Sequence, residues 1–177
     1  MIFDNFCISQ FTVSPFCLKK ESLFVLEVRC SGCNFHCKGC FVPELQRRDY
    51  FPEVSVDEFT QAVISEIDPM IIGELHILGG EPLLDENRIN FLSYFLHSFR
   101  ETFQKSISVL LFTGYKRREL LESELFDSFK TKLLPYLDYI KFGRYRKDLP
   151  PRKVSSTFQL ASCNQFITDN SLKVLKL

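Results

Sequence analysis

Four of the chain's seven cysteines lie within thirteen residues, in the segment RCSGCNFHCKGCF from Arg29 to Phe41. Thiolates bind zinc and iron–sulfur clusters, and cysteines clustered in a reducing compartment indicate metal binding or catalysis rather than disulfides. Three kinds of site fit such a segment: a structural zinc site, an electron-carrying cluster, and a cluster that keeps one iron open for chemistry.

The spacing between these cysteines bears on the three kinds of site. Structural zinc sites usually separate two CxxC pairs by about a dozen residues or more, whereas three residues separate Cys33 from Cys37. A bacterial ferredoxin run ends in Cys-Pro, whereas Phe41 follows Cys40 here. The third interpretation takes Cys33, Cys37 and Cys40 as ligands, which leaves one iron of a four-iron cluster without a protein ligand. Cys30 is then a small buried side chain.

The motif GGEP ends the segment ELHILGGEP, and its four residues suit the binding of a cofactor. Gly79 and Gly80 have no side chains, so the backbone there can approach a bound molecule closely. Glu81 offers a carboxylate to an ammonium group, and Pro82 stiffens the turn. A tight turn between a strand and a helix is the alternative interpretation of the same residues.

A third motif, TGY, follows the apolar segment SISVLLF. Its residues Thr113 and Tyr115 either contact the ribose or adenine of a cofactor or end a strand. The cysteine segment, GGEP and TGY each follow a predicted strand. A parallel sheet would therefore bring all three to one edge, at the carboxyl ends of its strands.

Strand and helix patterns alternate along the chain, which is the order of an α/β fold with right-handed crossovers. We expect a mostly parallel sheet of about five or six strands. A complete barrel needs ~250 residues, so this length predicts a partial, open TIM-type barrel. Helices are predicted after the capping box SVDE at 55–58, from residue 85, and over 117–132. The predicted strands are 23–29, the apolar part of 74–82, 106–115, 136–142 and, more weakly, 163–167.

Length, charge and hydropathy limit the class of protein. A chain of 177 residues without internal repeats or linkers predicts a single domain over residues 1–177. Basic and acidic residues number 22 each, and this zero net charge argues against a nucleic acid or membrane partner. No apolar run reaches the ~20 residues of a membrane span, and the segment MIFDNFCISQF does not resemble a signal peptide. We therefore expect a cytoplasmic protein.

The segment GCNFHCKGC matches the CxxxCxxC signature of the radical S-adenosylmethionine (SAM) enzymes, and GGEP matches their second motif. Within that superfamily the chain resembles the activating proteins of anaerobic (class III) ribonucleotide reductase, which are glycyl radical enzyme activases. The resemblance rests on the short length, Gly39, TGY, and the late segments FGRYRKDLP and SCNQFI. It covers about residues 25–167. Lys141 and Phe166 depart from the pattern of many activases.

The resemblance implies a [4Fe–4S] cluster on Cys33, Cys37 and Cys40, with SAM chelating the open iron, in the partial barrel of the radical SAM type. It implies no catalytic side chain beyond the cluster and SAM. A large glycyl radical enzyme is the implied partner, and an external one-electron donor such as flavodoxin or ferredoxin reduces the cluster. The implied cofactor-binding residues are Gly79, Gly80, Glu81, Pro82, Thr113, Tyr115 and Phe41.

Two other functions fit the same motifs. One is a small radical SAM enzyme that acts on a nucleotide-like or peptide substrate. The other is a non-catalytic iron–sulfur electron carrier, against which the glycine pair and Glu81 argue. Basic residues between 141 and 153 form either a solvated surface or a docking face for an acidic partner. They are Lys141, Arg144, Arg146, Lys147, Arg152 and Lys153. Cys7, Cys17 and Cys163 are too dispersed to indicate a second cluster.

Overall fold

The computed structural model describes residues 2–12, 24–155 and 158–175, and one seven-stranded sheet organises them. Two further short strands form a separate hairpin. The strands are β1 (Phe3–Thr12), β2 (Phe24–Cys30), β3 (Glu53–Ser55), β4 (Ile72–Gly79), β5 (Ser108–Phe112), β6 (Tyr139–Phe142), β7 (Arg152–Lys153), β8 (Gln159–Leu160) and β9 (Phe166–Asp169). Cys17 lies outside the described residues.

The sheet has a parallel centre and antiparallel flanks. Its order is β3-β1-β2-β4-β5-β6-β9, and β7 pairs with β8 in the hairpin. β2, β4, β5 and β6 run parallel, whereas the β3–β1, β1–β2 and β6–β9 pairs are antiparallel. This linear order makes the sheet open, as the sequence predicts. It has seven strands rather than the expected five or six, because β1 and the three-residue β3 extend one flank.

Within the described ranges, four α-helices accompany the sheet: α1 (Val56–Ser65), α2 (Glu86–Phe103), α3 (Arg117–Leu121) and α4 (Phe126–Ser128). The predicted capping box is present, since the backbone N–H of Glu58 donates to Ser55 Oγ and that of Ser55 donates to the Glu58 carboxylate. Asp85 caps α2 by accepting the N–H of Arg88 at 2.9 Å. The two long helices therefore begin where the sequence predicts.

The single helix predicted over 117–132 is wrong. α3 ends at Leu121, and the chain resumes as α4 followed by a π-helical and a 3-10 turn. Ser123 lies at the break, where its hydroxyl donates to the carbonyl of Leu120 at 2.8 Å and so offers an alternative to the helical ladder. The irregular turns of the fold are the π-helix Phe129–Leu133 and the 3-10 helices Pro43–Gln46, Arg48–Tyr50 and Leu134–Tyr136.

Apolar residues pack on both faces of the sheet. Val109 and Leu111 of β5 belong to the larger core, which includes α1, α2 and the turns after α4. Leu110 points the other way, as alternation along a strand requires, and packs with Phe158 and the hairpin. Continuous burial along β4 and β5 follows from this two-sided cover. Among the described residues, no helix combines the length and hydropathy needed to cross a bilayer.

Candidate functional site

A cavity of about 340 Å³ opens at the carboxyl ends of the four parallel strands. The cysteine loop follows β2, GGEP follows β4, TGY follows β5, and the segment from Gly143 follows β6. Residues from all four segments line the cavity, so the predicted convergence of the motifs is confirmed. The lining includes Arg29, Cys33, Phe35, Cys37, Cys40, Phe41, Gly79, Gly80, Glu81, Thr113, Lys141, Arg144 and Tyr145.

Three of the four clustered cysteines face this cavity. Cys33, Cys37 and Cys40 are partly exposed and belong to its lining. Burial raises the pKa of the Cys33 thiol. Cys30 is fully buried at the end of β2, with its sulfur 3.5 Å from the carbonyl of Leu78 and its pKa raised by burial to about 12. Its thiol is therefore protonated and packed in the core, whereas the other three are accessible.

The three cavity cysteines belong to one loop and line one cavity. Among residues 2–12, 24–155 and 158–175, no three His, Cys, Asp or Glu side chains lie close enough to bind one metal ion. A four-iron cubane is larger than a single ion, and its ligand sulfurs lie further apart than those around one ion. Soft thiolates on one side of a cavity, with room beside them, are the donor set that an iron–sulfur cluster uses.

Gly80 brings the GGEP turn against the start of the cysteine loop. Its N–H donates to the carbonyl of Cys30, and the N–H of Glu81 donates to that of Gly32, both at 2.8 Å. A Cβ atom on Gly80 would lie 2.2 Å from the Gly32 oxygen, closer than any side chain allows. The second glycine of the pair therefore permits two loops of this chain to touch, a role that the motif by itself did not indicate.

Glu81 is buried and bonded to the TGY segment. Its carboxylate accepts the hydroxyl of Thr113 and the N–H of Gly114, each at 2.7 Å, and the N–H of Leu83 at 2.9 Å. Burial raises its pKa, and these three donors act in the opposite direction. Glu81 thus joins the turns after β4 and β5. Of the other residues predicted to bind cofactor, Pro82 lies buried in the turn.

Phe35, in the middle of the cysteine loop, is a cavity residue that the sequence did not single out. Its ring meets that of Tyr115 edge-on at 4.8 Å, and the guanidinium of Arg144 lies over it at 4.4 Å. Arg144 donates in turn to Glu119 of α3 at 2.6 Å. Tyr115 therefore supports the cysteine loop from outside the cavity lining, and no local sequence signal connects these four residues.

Lys141 places an ammonium group inside the cavity. It donates to the carbonyl of Gly143 at 2.9 Å. Burial lowers its pKa to about 8, although the negative charges of Glu81 and Cys37 act to raise it. Arg29 is a second basic residue of the lining, paired with Glu27 at 2.7 Å. The cavity is thus apolar and aromatic with basic groups at its wall, which suits an anionic group of a ligand.

The basic run between 141 and 153 does not form one surface. Lys141 and Arg144 turn to the cavity, and Arg146 pairs with its neighbour Asp148. Lys147 is exposed and packs against Gly39 of the cysteine loop, and the rings of Phe41 and Tyr145 contact each other at an interplanar angle of 40°. Arg152 and Lys153 are exposed in the hairpin strand β7. A docking face can therefore include only part of the run.

A family model matches residues 24–168, from the start of β2 to the last strand of the sheet. The model describes a 4Fe-4S single cluster domain. The chain belongs to this family of iron–sulfur proteins, and the matched range includes Cys33, Cys37 and Cys40.

One relative extends the comparison. The anaerobic ribonucleoside-triphosphate reductase-activating protein of Enterobacteria phage T4 is 28% identical to this chain over 161 residues, which are 87% of each chain. The match spans nearly the whole fold. The resemblance to radical SAM activases therefore rests on the full domain as well as on the motifs.

Proposed function

We propose that this protein is a radical SAM activase. In this proposal Cys33, Cys37 and Cys40 hold a [4Fe–4S] cluster, and SAM is cleaved reductively to place a glycyl radical on an anaerobic ribonucleoside-triphosphate reductase. The observation that carries the proposal is the meeting of three accessible cysteines, GGEP and TGY around one cavity. The family and the phage relative support the same reaction.

The cofactor supplies the difficult chemistry. When bound, the cluster and SAM would supply one-electron reductive cleavage of SAM and hydrogen-atom abstraction from the partner's glycine, with Cys33, Cys37 and Cys40 holding the cluster. The chain's own residues would bind and orient the cluster and SAM, and they would exclude water from the cavity. Gly79, Gly80 and Thr113 line the cavity wall that would receive the cofactor, and Phe41 covers its rim.

Glu81 has two proposed roles. In the first role, which the motif suggests, the carboxylate accepts a charge-assisted hydrogen bond from the ammonium group of SAM. Its three donors come from Leu83, Thr113 and Gly114, so the carboxylate also fixes the cavity wall. A carboxylate has about four acceptor positions, so it can keep these bonds and accept another donor. Pro82 and Tyr115 then act by holding the two turns.

The open parallel sheet is compatible with a partial barrel of the radical SAM type, which remains part of the proposal. A large partner enzyme fits a cavity at the rim of so small a domain, since the reacting glycine then enters from outside. We further propose flavodoxin or ferredoxin as the electron donor and the cytoplasm as the location. Both follow from the class of reaction, which needs a low-potential donor and a reducing compartment.

The test is anaerobic incubation of the reconstituted protein with SAM and a strong reductant, with 5′-deoxyadenosine as the measured product. We expect product from the unmodified chain and none from Cys40→Ala. Addition of a candidate anaerobic reductase should then give a glycyl radical signal by electron paramagnetic resonance. A fully loaded, reducible cluster that yields no product with or without the reductase would contradict the proposal and favour an electron carrier.

A further inference from the structure

Arg88 is a fully buried cation directly beneath the two motif loops, and neither motif includes it. It is among the largest side chains in the core with no measurable exposure, and its partner Asp4 is 1% exposed. Replacing a buried ion pair by apolar residues is often neutral or stabilising, so such a pair is weak support for a role in stability alone. The hydrogen bonds that the guanidinium donates indicate a second role.

The guanidinium connects three segments of the chain. Its Nε and Nη2 atoms donate to the two carboxylate oxygens of Asp4 in β1, at 2.9 and 2.7 Å. Nη2 also donates to the carbonyl of Ser31, the first residue of the cysteine loop, at 2.8 Å. Nη1 donates to the carbonyl of Glu81 in GGEP at 3.3 Å. One side chain therefore touches both loops that form the proposed site.

The surrounding charges hold this arrangement in place. Burial acts to raise the pKa of Asp4, but hydrogen bonding and the charge of Arg88 outweigh it, so the pKa is lowered and Asp4 is ionised. Arg48 adds a second cation 3.5 Å from Asp4, and it also pairs with Asp85 at 2.6 Å. Because Asp85 caps α2 through the N–H of Arg88, the helix start itself is fixed to the same network.

We propose that Arg88 is a positioning residue that sets the separation between the cysteine loop and the GGEP turn. This inference rests on the proposed function, in which the cluster lies on one loop and SAM on the other. A planar guanidinium with five donors can bond a carboxylate and two carbonyls at once, which a lysine ammonium cannot do in the same geometry. Arg88→Lys therefore keeps the charge and removes the simultaneous bonds.

Arg100 provides a matched control on the same helix. It bonds the carboxylate of Asp138 at 2.5 Å and the backbone carbonyls of Gln104, Ile107 and Tyr136 at 2.7 to 2.9 Å, near the end of α2. The chemistry matches that of Arg88, but its partners lie outside the motif loops. Arg100→Lys therefore measures the effect of losing a comparable hydrogen-bond network while leaving the contacts of the two motif loops unchanged.

The experiment compares wild type, Arg88→Lys and Arg100→Lys as full-length, anaerobically reconstituted proteins. Iron content is measured first, and SAM is titrated against the paramagnetic resonance spectrum of the reduced cluster. We expect Arg88→Lys to retain iron and to raise the apparent Kd for SAM at least about tenfold, as misplacement of a preorganised site does. Arg100→Lys should change it less than about twofold. Equal effects in the two variants would overturn the inference.

Hydrogen exchange provides a readout that needs no cofactor. In the full-length chain, peptides that contain the N–H groups of Gly80 and Glu81 should exchange at least about tenfold faster in Arg88→Lys and unchanged in Arg100→Lys. If Arg88→Lys does not bind the cluster, this comparison still tests the positioning role of Arg88. Unchanged exchange of the Gly80 and Glu81 N–H groups in Arg88→Lys would overturn the inference. A wild-type spectrum that does not respond to SAM would instead contradict the proposed function, while the exchange result would still judge Arg88.

Discussion

Cys30 and Cys37 are seven residues apart and lie in opposite environments. Cys37 lines the cavity, whereas Cys30 is fully buried with a pKa raised to about 12. A thiol packed in the core, outside the cavity lining, is not placed to act as a ligand. The spacing alone is compatible with either cysteine as a metal ligand. The burial of Cys30 favours Cys33, Cys37 and Cys40 as the ligands.

Alanine at these two positions should therefore have different effects. Cys37→Ala should abolish cluster binding, because it removes one of three ligands from an already open site. Cys30→Ala should retain most of the iron and lower the free energy of unfolding by about 1 kcal/mol, as small core truncations do. Iron content and visible absorbance after anaerobic reconstitution measure both. Equal losses of iron would refute the assignment of ligands.

Gly80 is a second residue whose role is physical contact. Gly80→Ala would place a methyl group 2.2 Å from the Gly32 carbonyl oxygen, so the two loops would have to separate. We expect a loss of at least about 2 kcal/mol in the free energy of unfolding and reduced cluster occupancy. Gly39→Ala is the comparison: its φ of 75° costs alanine about 1 kcal/mol, but its methyl would meet only the flexible side chain of Lys147 at 3.0 Å and would not push two loops apart. Denaturant unfolding should show a clearly smaller loss for the control.

At the scale of elements, the strands and long helices predicted from the sequence are confirmed within one to three residues at most boundaries. β2, β4 and β5 are apolar runs that end in motifs, and α1 and α2 carry recognisable caps. β1 escaped prediction because FDNFCISQFT mixes polar and apolar residues without clear turn signals. The helix predicted over 117–132 failed because its apolar periodicity continues across a break that Ser123 makes locally.

The end of α2 is fixed by a charge network that gives a pH-dependent stability. Burial acts to raise the pKa of Asp138, but the N–H of Val109 and the cations of Lys105 and Arg100 outweigh it and leave the pKa lowered. A lowered carboxyl pKa stabilises the folded state above the ordinary value of 3.8, and this stabilisation disappears as pH falls through the folded-state pKa.

Asp138→Asn should therefore destabilise the protein most at neutral pH. We expect a loss of roughly 2 kcal/mol in the free energy of unfolding at pH 7, as for a lost hydrogen-bonded charge. The difference from wild type should shrink as pH falls below about 4. Denaturant unfolding at several pH values is the measurement. A difference that stays constant from pH 7 to pH 3 would show that ionisation of Asp138 is not the cause.

At the scale of the whole molecule, four strand ends and the loop after β6 form a single rim. Phe41, at 71% exposure, packs on Tyr145 in a tilted arrangement at a centroid distance of 4.6 Å, and Lys147 packs against nearby Gly39. Under the proposed function the partner's glycine must pass this rim. An exposed phenylalanine on a half-buried tyrosine, with a neighbouring cation, is suited to contact an acidic segment of the partner.

Charge reversal at the rim should slow association with the reductase. We expect Lys147→Glu to lower the association rate about threefold or more at low salt, with the effect fading as salt rises and screens the charges. Lys130→Glu is the matched control, because Lys130 is exposed on the π-helical turn on the helical side of the fold. Surface plasmon resonance at several ionic strengths measures both. Equal effects of the two variants would place the docking surface elsewhere.

The sequence alone determined the thiol set, the order of the motifs and the alternation of strands and helices. These features are local: Cys33, Cys37 and Cys40 lie within one loop, and periodicity and capping act over a few residues. These features predicted which edge of the sheet carries the site, because parallel strands end on the same side.

Only the tertiary structure decided which distant groups meet there. Arg88 and Asp4 are 84 positions apart in the chain, and Arg144 reaches Phe35 across the cavity. No local pattern marks such contacts, because they depend on how the sheet orders its strands. Folding also divided the basic run between cavity and surface, since exposure is a property of packing rather than of spacing. The burial of Cys30, which the three-ligand interpretation predicted, is confirmed.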